Sequence, residues 1–187
     1  MDVFILLTAL LITFIIPIIV IIWILWAMWT QFYGSVPFIP TPTHALGSVL
    51  DELSPKRGSV VYDLGCGNGK VLFACARRFP DISAVGIEHD FFPYAIARIR
   101  KFFYNKNSRI QFIWGNFMKT DLLSATHIFL YLYPSVLDKL LPKLERELLP
   151  GTKIVSCDYE FKNKMASRVV EIKTHNRLGR RLFVYEF

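Results

Sequence analysis

Three glycines at alternate positions, Gly65, Gly67 and Gly69, are the residues of this 187-residue chain whose type and spacing speak first of chemistry. They follow the apolar run Val60-Val61-Tyr62-Asp63-Leu64, and Lys70 opens a helical pattern behind them. Glycine permits a tight turn and lets backbone approach a ligand closely, and the start of a helix presents N–H groups with no partner inside the helix. Dinucleotide sites use a related loop, but here the spacing is G-x-G-x-G, with Cys66 inside the loop and Asp63 two residues before it. An acid at that place accepts from an ammonium group, directly or through water. That suits a zwitterionic amino-acid ligand better than a pyrophosphate.

Glu88 closes the next strand pattern, Val85-Gly86-Ile87-Glu88, where a carboxylate can accept both hydroxyls of a ribose. Asn116, in Trp114-Gly115-Asn116-Phe117, follows the third strand pattern. Its amide is placed to read an adenine edge with Phe117 packed nearby, although Gly-Asn is also ordinary turn chemistry. Glycine loop, ribose acid and adenine reader together specify S-adenosylmethionine as the ligand.

Such residues need a sheet to hold them, and the sequence supplies its pattern. Strand-like runs at 59–64, 84–88, 110–114, 127–132 and 152–161 alternate with helical ones at 70–79, 91–104 and 134–148. This alternation gives a mainly parallel sheet with helices on both faces. Two last strands, 168–173 and 181–187, are joined by a turn containing Asn176 and Gly179, which makes an antiparallel hairpin. Ahead of the alternation, Thr41 reads as an N-cap with Pro42 at the first helical position. The short helix so begun runs to about Leu53, with Ala45, Leu46, Val49, Leu50 and Leu53 on one face.

The charges are unevenly spread. The net charge is +7, yet between Asp2 and Asp51 no Asp, Glu, Lys or Arg occurs. Residues 3–29 form an uncharged apolar stretch long enough to span a bilayer, and Trp23, Trp26, Trp29, Phe32 and Tyr33 gather at one end as an interfacial belt does. Pro17 is tolerated in such a helix with a kink. The expected organisation is a transmembrane anchor over 1–33, a proline-rich segment and short helix over 34–58, and an α/β domain over 59–187. Lys56 and Arg57 after the span place that domain on the cytoplasmic, or an equivalent reducing, side. The three cysteines, Cys66, Cys75 and Cys157, are odd in number and fit no zinc spacing, which also favours a reducing compartment. No metal cluster or nucleophilic triad stands out, since His44, His89, His127 and His175 are scattered.

With these motifs in place, the chain resembles the seven-strand class I methyltransferases. More narrowly it is similar to the small protein-lysine methyltransferases of archaea and mitochondria, whose mitochondrial members act on the rotor-ring protein of ATP synthase or on the adenine nucleotide translocase. The likeness covers roughly residues 36 to 160. It includes Val36-Pro37-Phe38-Ile39-Pro40-Thr41-Pro42, the glycine loop, Gly86-Ile87-Glu88, Gly115-Asn116-Phe117, Pro134-Ser135-Val136-Leu137 and the stretch from Lys143 to Ser156. Asn68 and Lys70 depart from it, standing where Asp and Arg are commoner. The resemblance implies a Rossmann-like seven-strand methyltransferase sheet with a C-terminal antiparallel hairpin, preceded by one transmembrane helix. It also implies that Phe38 and Thr41 lie beside the cofactor.

On that basis the expected cofactor residues are Phe38, Thr41, Asp63, Gly65, Cys66, Gly67, Gly69, Glu88, Asn116 and Phe117. The acceptor side falls at Tyr131-Leu132-Tyr133-Pro134 and Ser156-Cys157-Asp158-Tyr159, with Tyr133 guiding an amine and Asp158 steering its proton. The expected substrate is a lysine of a protein in or near the membrane, with no metal. The absence of a DPPY-type tetrapeptide argues against methylation of DNA bases, and nucleic acid is disfavoured as a partner. A lipid, quinone or other hydrophobic acceptor, or a non-catalytic module binding S-adenosylmethionine or RNA, are the alternatives.

Overall fold

The computed structural model describes residues 3–33, 39–104 and 109–187, in two compact units, Met1–Phe38 and Ile39–Phe187. The described part of the first unit is helical. Helix α1 (Val3–Leu10) passes through one π-helical turn, Leu11–Ile15, into α2 (Ile16–Tyr33). In that turn the Ile16 N–H reaches back five residues to the Leu11 carbonyl. Pro17 supplies the reason. It has no N–H, and in a regular helix its ring would collide with the carbonyl four residues back, so the wider turn makes room for it. The 21 residues Leu7–Ala27 are long and apolar enough to cross a membrane, and none of that stretch is buried.

In the second unit a 3-10 turn, Thr43–Ala45, leads into α3 (Leu46–Leu53). Thr41 does not cap it. The residue before the turn is Pro42, no side chain caps either segment, and the Pro42 carbonyl accepts the Ala45 N–H at 3.2 Å. The expected apolar face does form: Ala45, Val49, Leu50 and Leu53 are buried. Ser54, in the left-handed region at φ 43°, ends α3.

Seven strands follow: β1 (Val60–Leu64), β2 (Ser83–Glu88), β3 (Arg109–Trp114), β4 (His127–Leu130), β5 (Lys153–Cys157), β6 (Arg168–Glu171) and β7 (Arg181–Glu186). They form one sheet in the order β3-β2-β1-β4-β5-β7-β6. The first five run parallel, and β7 enters antiparallel between β5 and β6. Helices α3, α4 (Lys70–Arg78) and α5 (Phe91–Phe103) share one core with alternate residues of the strands, among them Val61, Ala84, Phe112, Phe129 and Val155. Helix α6 (Pro134–Glu147) buries Leu137, Leu140, Leu141 and Leu144 on the other face against Tyr62, Leu64, Ile128 and Ile154. The period-2 strands and period-3.6 helices thus present complementary apolar faces.

Strand β5 is shorter than its sequence pattern. It stops at Cys157 because Asp158 adopts a left-handed backbone, φ 63°, and its N–H turns to the Arg181 carbonyl at 2.8 Å. Gly86, at the centre of β2, sets how closely α4 and the glycine loop approach the sheet. A Cβ there would lie 2.7 Å from Cys66 Sγ and 2.8 Å from both Leu72 Cδ1 and Phe112 Cδ1. Gly86→Ala is therefore expected to destabilise the domain by about 1–3 kcal/mol, as overpacking does. Thermal unfolding checks this, and an unchanged midpoint would refute the close-packing account.

Candidate cofactor and acceptor site

The carboxyl ends of β1, β2 and β3 bring the expected cofactor residues together. The Gly65 and Cys66 N–H groups both donate to the Ile87 carbonyl, at 2.8 and 3.1 Å, pinning the loop to β2. Gly65, Gly67 and Gly69 all have positive φ, at 80°, 54° and 74°, so the alternate glycines answer a backbone requirement. The Cys66 side chain is buried, and burial pushes its thiol well above the ordinary range, which leaves it a packing group.

Glu88 is the hinge of the site. One oxygen accepts the Gly67 N–H at 2.7 Å and the other the Asp90 N–H at 2.9 Å. Its backbone carbonyl accepts the Gly115 N–H at 2.9 Å, drawing the Asn116 turn beside it. Asn116 is exposed, its side-chain oxygen accepts the Met118 N–H at 2.8 Å, and Phe117 packs against the α6-side core.

Asp63 is 3% exposed, and its carboxylate makes no hydrogen bond to a described residue. Desolvation and the neighbouring charge of Glu88 hold its pKa well above the ordinary carboxylate value. A buried acid so placed, beside a second acid, is a place for a cation. S-adenosylmethionine fits, since its ammonium and sulfonium charges both favour two carboxylates nearby.

This has a pH signature. In the free protein Asp63 holds its proton above the usual carboxylate range, whereas a cationic ligand favours the ionised form. Binding should therefore release a proton, and affinity should fall as pH drops through the raised Asp63 pKa. Calorimetric titration in buffers of different ionisation enthalpy reads this directly. The release should vanish in Asp63→Asn, and proton uptake by the wild type would contradict the assignment.

Two features were not legible in the sequence. Lys70, first residue of α4, donates from Nζ to the Thr41 carbonyl at 2.8 Å and to Thr43 Oγ1 at 2.7 Å. It ties the segment before α3 to the glycine loop, and Thr41 itself is nearly buried. Phe38 lies outside the described residues. The second feature is on the acceptor side, where Tyr159 stacks on Tyr133 (5.8 Å between ring centroids, 27° between planes) and Tyr131 (6.5 Å, 22°). The sequence marks Tyr133 but not the ring that joins it to Tyr131. Asp158 sits beneath this stack, accepting the Gly179 and Arg180 N–H groups at 2.6 and 2.7 Å and the Tyr131 hydroxyl at 3.1 Å. With Tyr159 it also lines a cavity of about 400 Å³ that includes Arg177, Arg180 and Arg181.

Residues 63–168 match the model of the family described as the ANTKMT methyltransferase domain. The chain is 34% identical over 143 residues to a protein-lysine N-methyltransferase of Saccharolobus islandicus, covering 75% of this chain and 88% of that protein. It is 27% identical over 126 residues to the human lysine N-methyltransferase of the ATP synthase c-ring protein, covering 67% of this chain and 53% of that one, so it spans about half the length of this relative. Among solved structures, an RNA methyltransferase from Salinibacter ruber in complex with S-adenosyl-L-homocysteine superposes with a TM-score of 0.73 at 30% identity, covering 79% of this chain and 93% of that one. The chain belongs to the ANTKMT methyltransferase domain family, and it is an enzyme whose cofactor is S-adenosylmethionine.

Proposed function

We propose that this enzyme methylates a lysine side chain of a protein held in or near a membrane, and that residues 3–29 anchor it there as a single-pass helix with the catalytic domain on the cytoplasmic or an equivalent reducing side. The observation that carries the acceptor assignment is the similarity to a protein-lysine N-methyltransferase over 88% of that protein's length. The stack of tyrosines at the carboxyl ends of β4 and β5 supports it. The uncharged 21-residue helix supports the anchor, and the three buried, unpaired cysteines suit a reducing side.

Residues Asp63, Gly65, Cys66, Gly67, Gly69, Glu88, Asn116 and Phe117 are assigned to the cofactor, with Phe38 and Thr41 at its border. Bound there, S-adenosylmethionine supplies a methyl group made electrophilic by the sulfonium. The protein must then present a neutral amine in line with it. A free lysine holds its proton to about pH 10.4, so the acceptor must be desolvated. The faces of Tyr133 and Tyr159 attract the ammonium on entry and exclude water once it is seated. The Tyr133 hydroxyl, at the N-terminus of α6, orients the amine. Asp158 is engaged by the hairpin N–H groups and by Tyr131, so its role is to fix the tyrosine stack.

Tyr133→Phe is expected to lower kcat/KM by about tenfold, the worth of one hydrogen bond of about 1 kcal/mol, with cofactor affinity unchanged. Equal turnover would remove Tyr133 from the acceptor side. The wider reading is tested by incubating full-length and anchorless enzyme with methyl-labelled cofactor and a membrane fraction. Label should enter a few membrane-protein bands, and the anchorless form should lose efficiency on them more than on a soluble peptide. Label found only in organic extract would favour a lipid or quinone acceptor. Label found only in RNA would follow the likeness to the RNA methyltransferase.

A further inference from the structure

Helix α5 is amphipathic the wrong way round for a soluble domain. Its one fully buried residue is Ala97, while its large apolar residues face outward. Ile96, Ile99 and Phe103 recur at i, i+3 and i+7, which places them on one stripe. All three are exposed, Phe103 at 81%, and Phe102 beside them at 75%. At the other end, exposed Phe91 meets exposed Trp114 edge to face at 5.6 Å, prolonging the apolar surface onto the end of β3. Helix α5 contains no acid, while Arg98, Arg100 and Lys101 stand on it and Arg109 opens the neighbouring strand. An aromatic and aliphatic face flanked by cations is the composition of a helix that lies in a membrane interface, and contiguous apolar surface of this kind marks a partner.

We infer that the α5 face, with Trp114, docks the catalytic domain onto the headgroup region of an anionic bilayer. The absence of acid from the helix favours an anionic lipid surface over another part of a protein with mixed charges. The inference rests on the membrane-anchored reading above, because a chain tethered to a bilayer raises the effective concentration of its domain at the lipid surface. Docking then fixes which way the acceptor cleft faces and favours acceptor lysines near the bilayer.

The test uses the full-length protein with Ile99→Cys carrying an environment-sensitive fluorophore, the native cysteines being buried. Glu145→Cys, exposed on α6, serves as the control. The protein is placed in vesicles of phosphatidylcholine with or without phosphatidylglycerol, and spin-labelled lipid is the quencher. In the anionic vesicles the label at position 99 should shift to the blue and lose most of its emission to the quencher. The label at 145 should do neither, and Arg98→Glu with Lys101→Glu should weaken the effect at 99, as should high salt. Alkaline carbonate extraction reads the anchor separately. Protein that resists extraction while position 99 stays as water-exposed as 145 overturns the docking and leaves the anchor standing. Protein that is extracted, yet shows quenching at 99 beforehand, supports docking and overturns the anchor. A spectral change at 99 that follows protein concentration whatever the lipid overturns the inference in favour of contact between copies.

Discussion

Glu88→Ala is expected to lower S-adenosylmethionine affinity by at least about 100-fold while the domain remains folded. The carboxylate does two things that alanine cannot. It accepts the Gly67 and Asp90 N–H groups at 2.7 and 2.9 Å, and so holds the glycine loop against the end of β2. It also presents its remaining lone pairs where a ribose would lie. Hydrogen bonds to a charged group are worth about 1.5–3 kcal/mol each, and losing two of them amounts to a factor of about 100 or more in affinity. Calorimetric titration of the folded variant checks this, and wild-type affinity would remove Glu88 from the site. Glu88→Gln separates the two roles, because an amide oxygen can still accept one backbone N–H but the charge is gone.

The second large effect concerns the segment before α3. Deleting residues 1–33 should leave cofactor affinity unchanged, whereas deleting residues 1–43 should lower it by about tenfold or more. The longer deletion removes both acceptors of the Lys70 ammonium, a group at the first turn of α4 directly behind the glycine loop. It also removes Pro42, against which Gly179 packs so closely that a Cβ there would lie 3.0 Å away. The C-terminal hairpin and the start of the domain thus support each other. Lys70→Ala in the full-length chain isolates the first contribution and should reproduce part of the loss. Equal affinities in the two truncations would show that residues 34–43 serve only as a connection.

The strand–helix alternation was readable because β-branched runs such as Val60–Leu64 are bounded by turn residues and separated by helices with regular apolar spacing. The glycine loop and Glu88 were readable because one local βαβ unit carries them, with ligand chemistry attached to fixed offsets. What escaped the sequence depends on contacts between distant residues. Nothing near Thr41 announces that Lys70 will take its carbonyl in place of an N-cap role. Nothing in the run from Thr152 to Phe161 marks the break at Asp158, which follows from N–H donors more than 20 residues away in the hairpin. Tyr159 was hidden for the same reason. Its stacking on Tyr133 joins the ends of two strands whose pairing is set by the whole sheet. The turn at Leu11–Ile15 is the converse case, since Pro17 predicts a local disturbance but not its form.

The most direct test of the account is the chemical identity of the methylated group. Full-length enzyme, methyl-labelled S-adenosylmethionine and a membrane fraction should yield labelled protein whose complete hydrolysate contains the label as N-methylated lysine. Glu88→Ala should abolish that signal, and Tyr133→Phe should reduce it. A catalytically active wild-type preparation whose hydrolysed protein contains no methyl-lysine, the label lying in lipid, RNA or another amino acid, would contradict it.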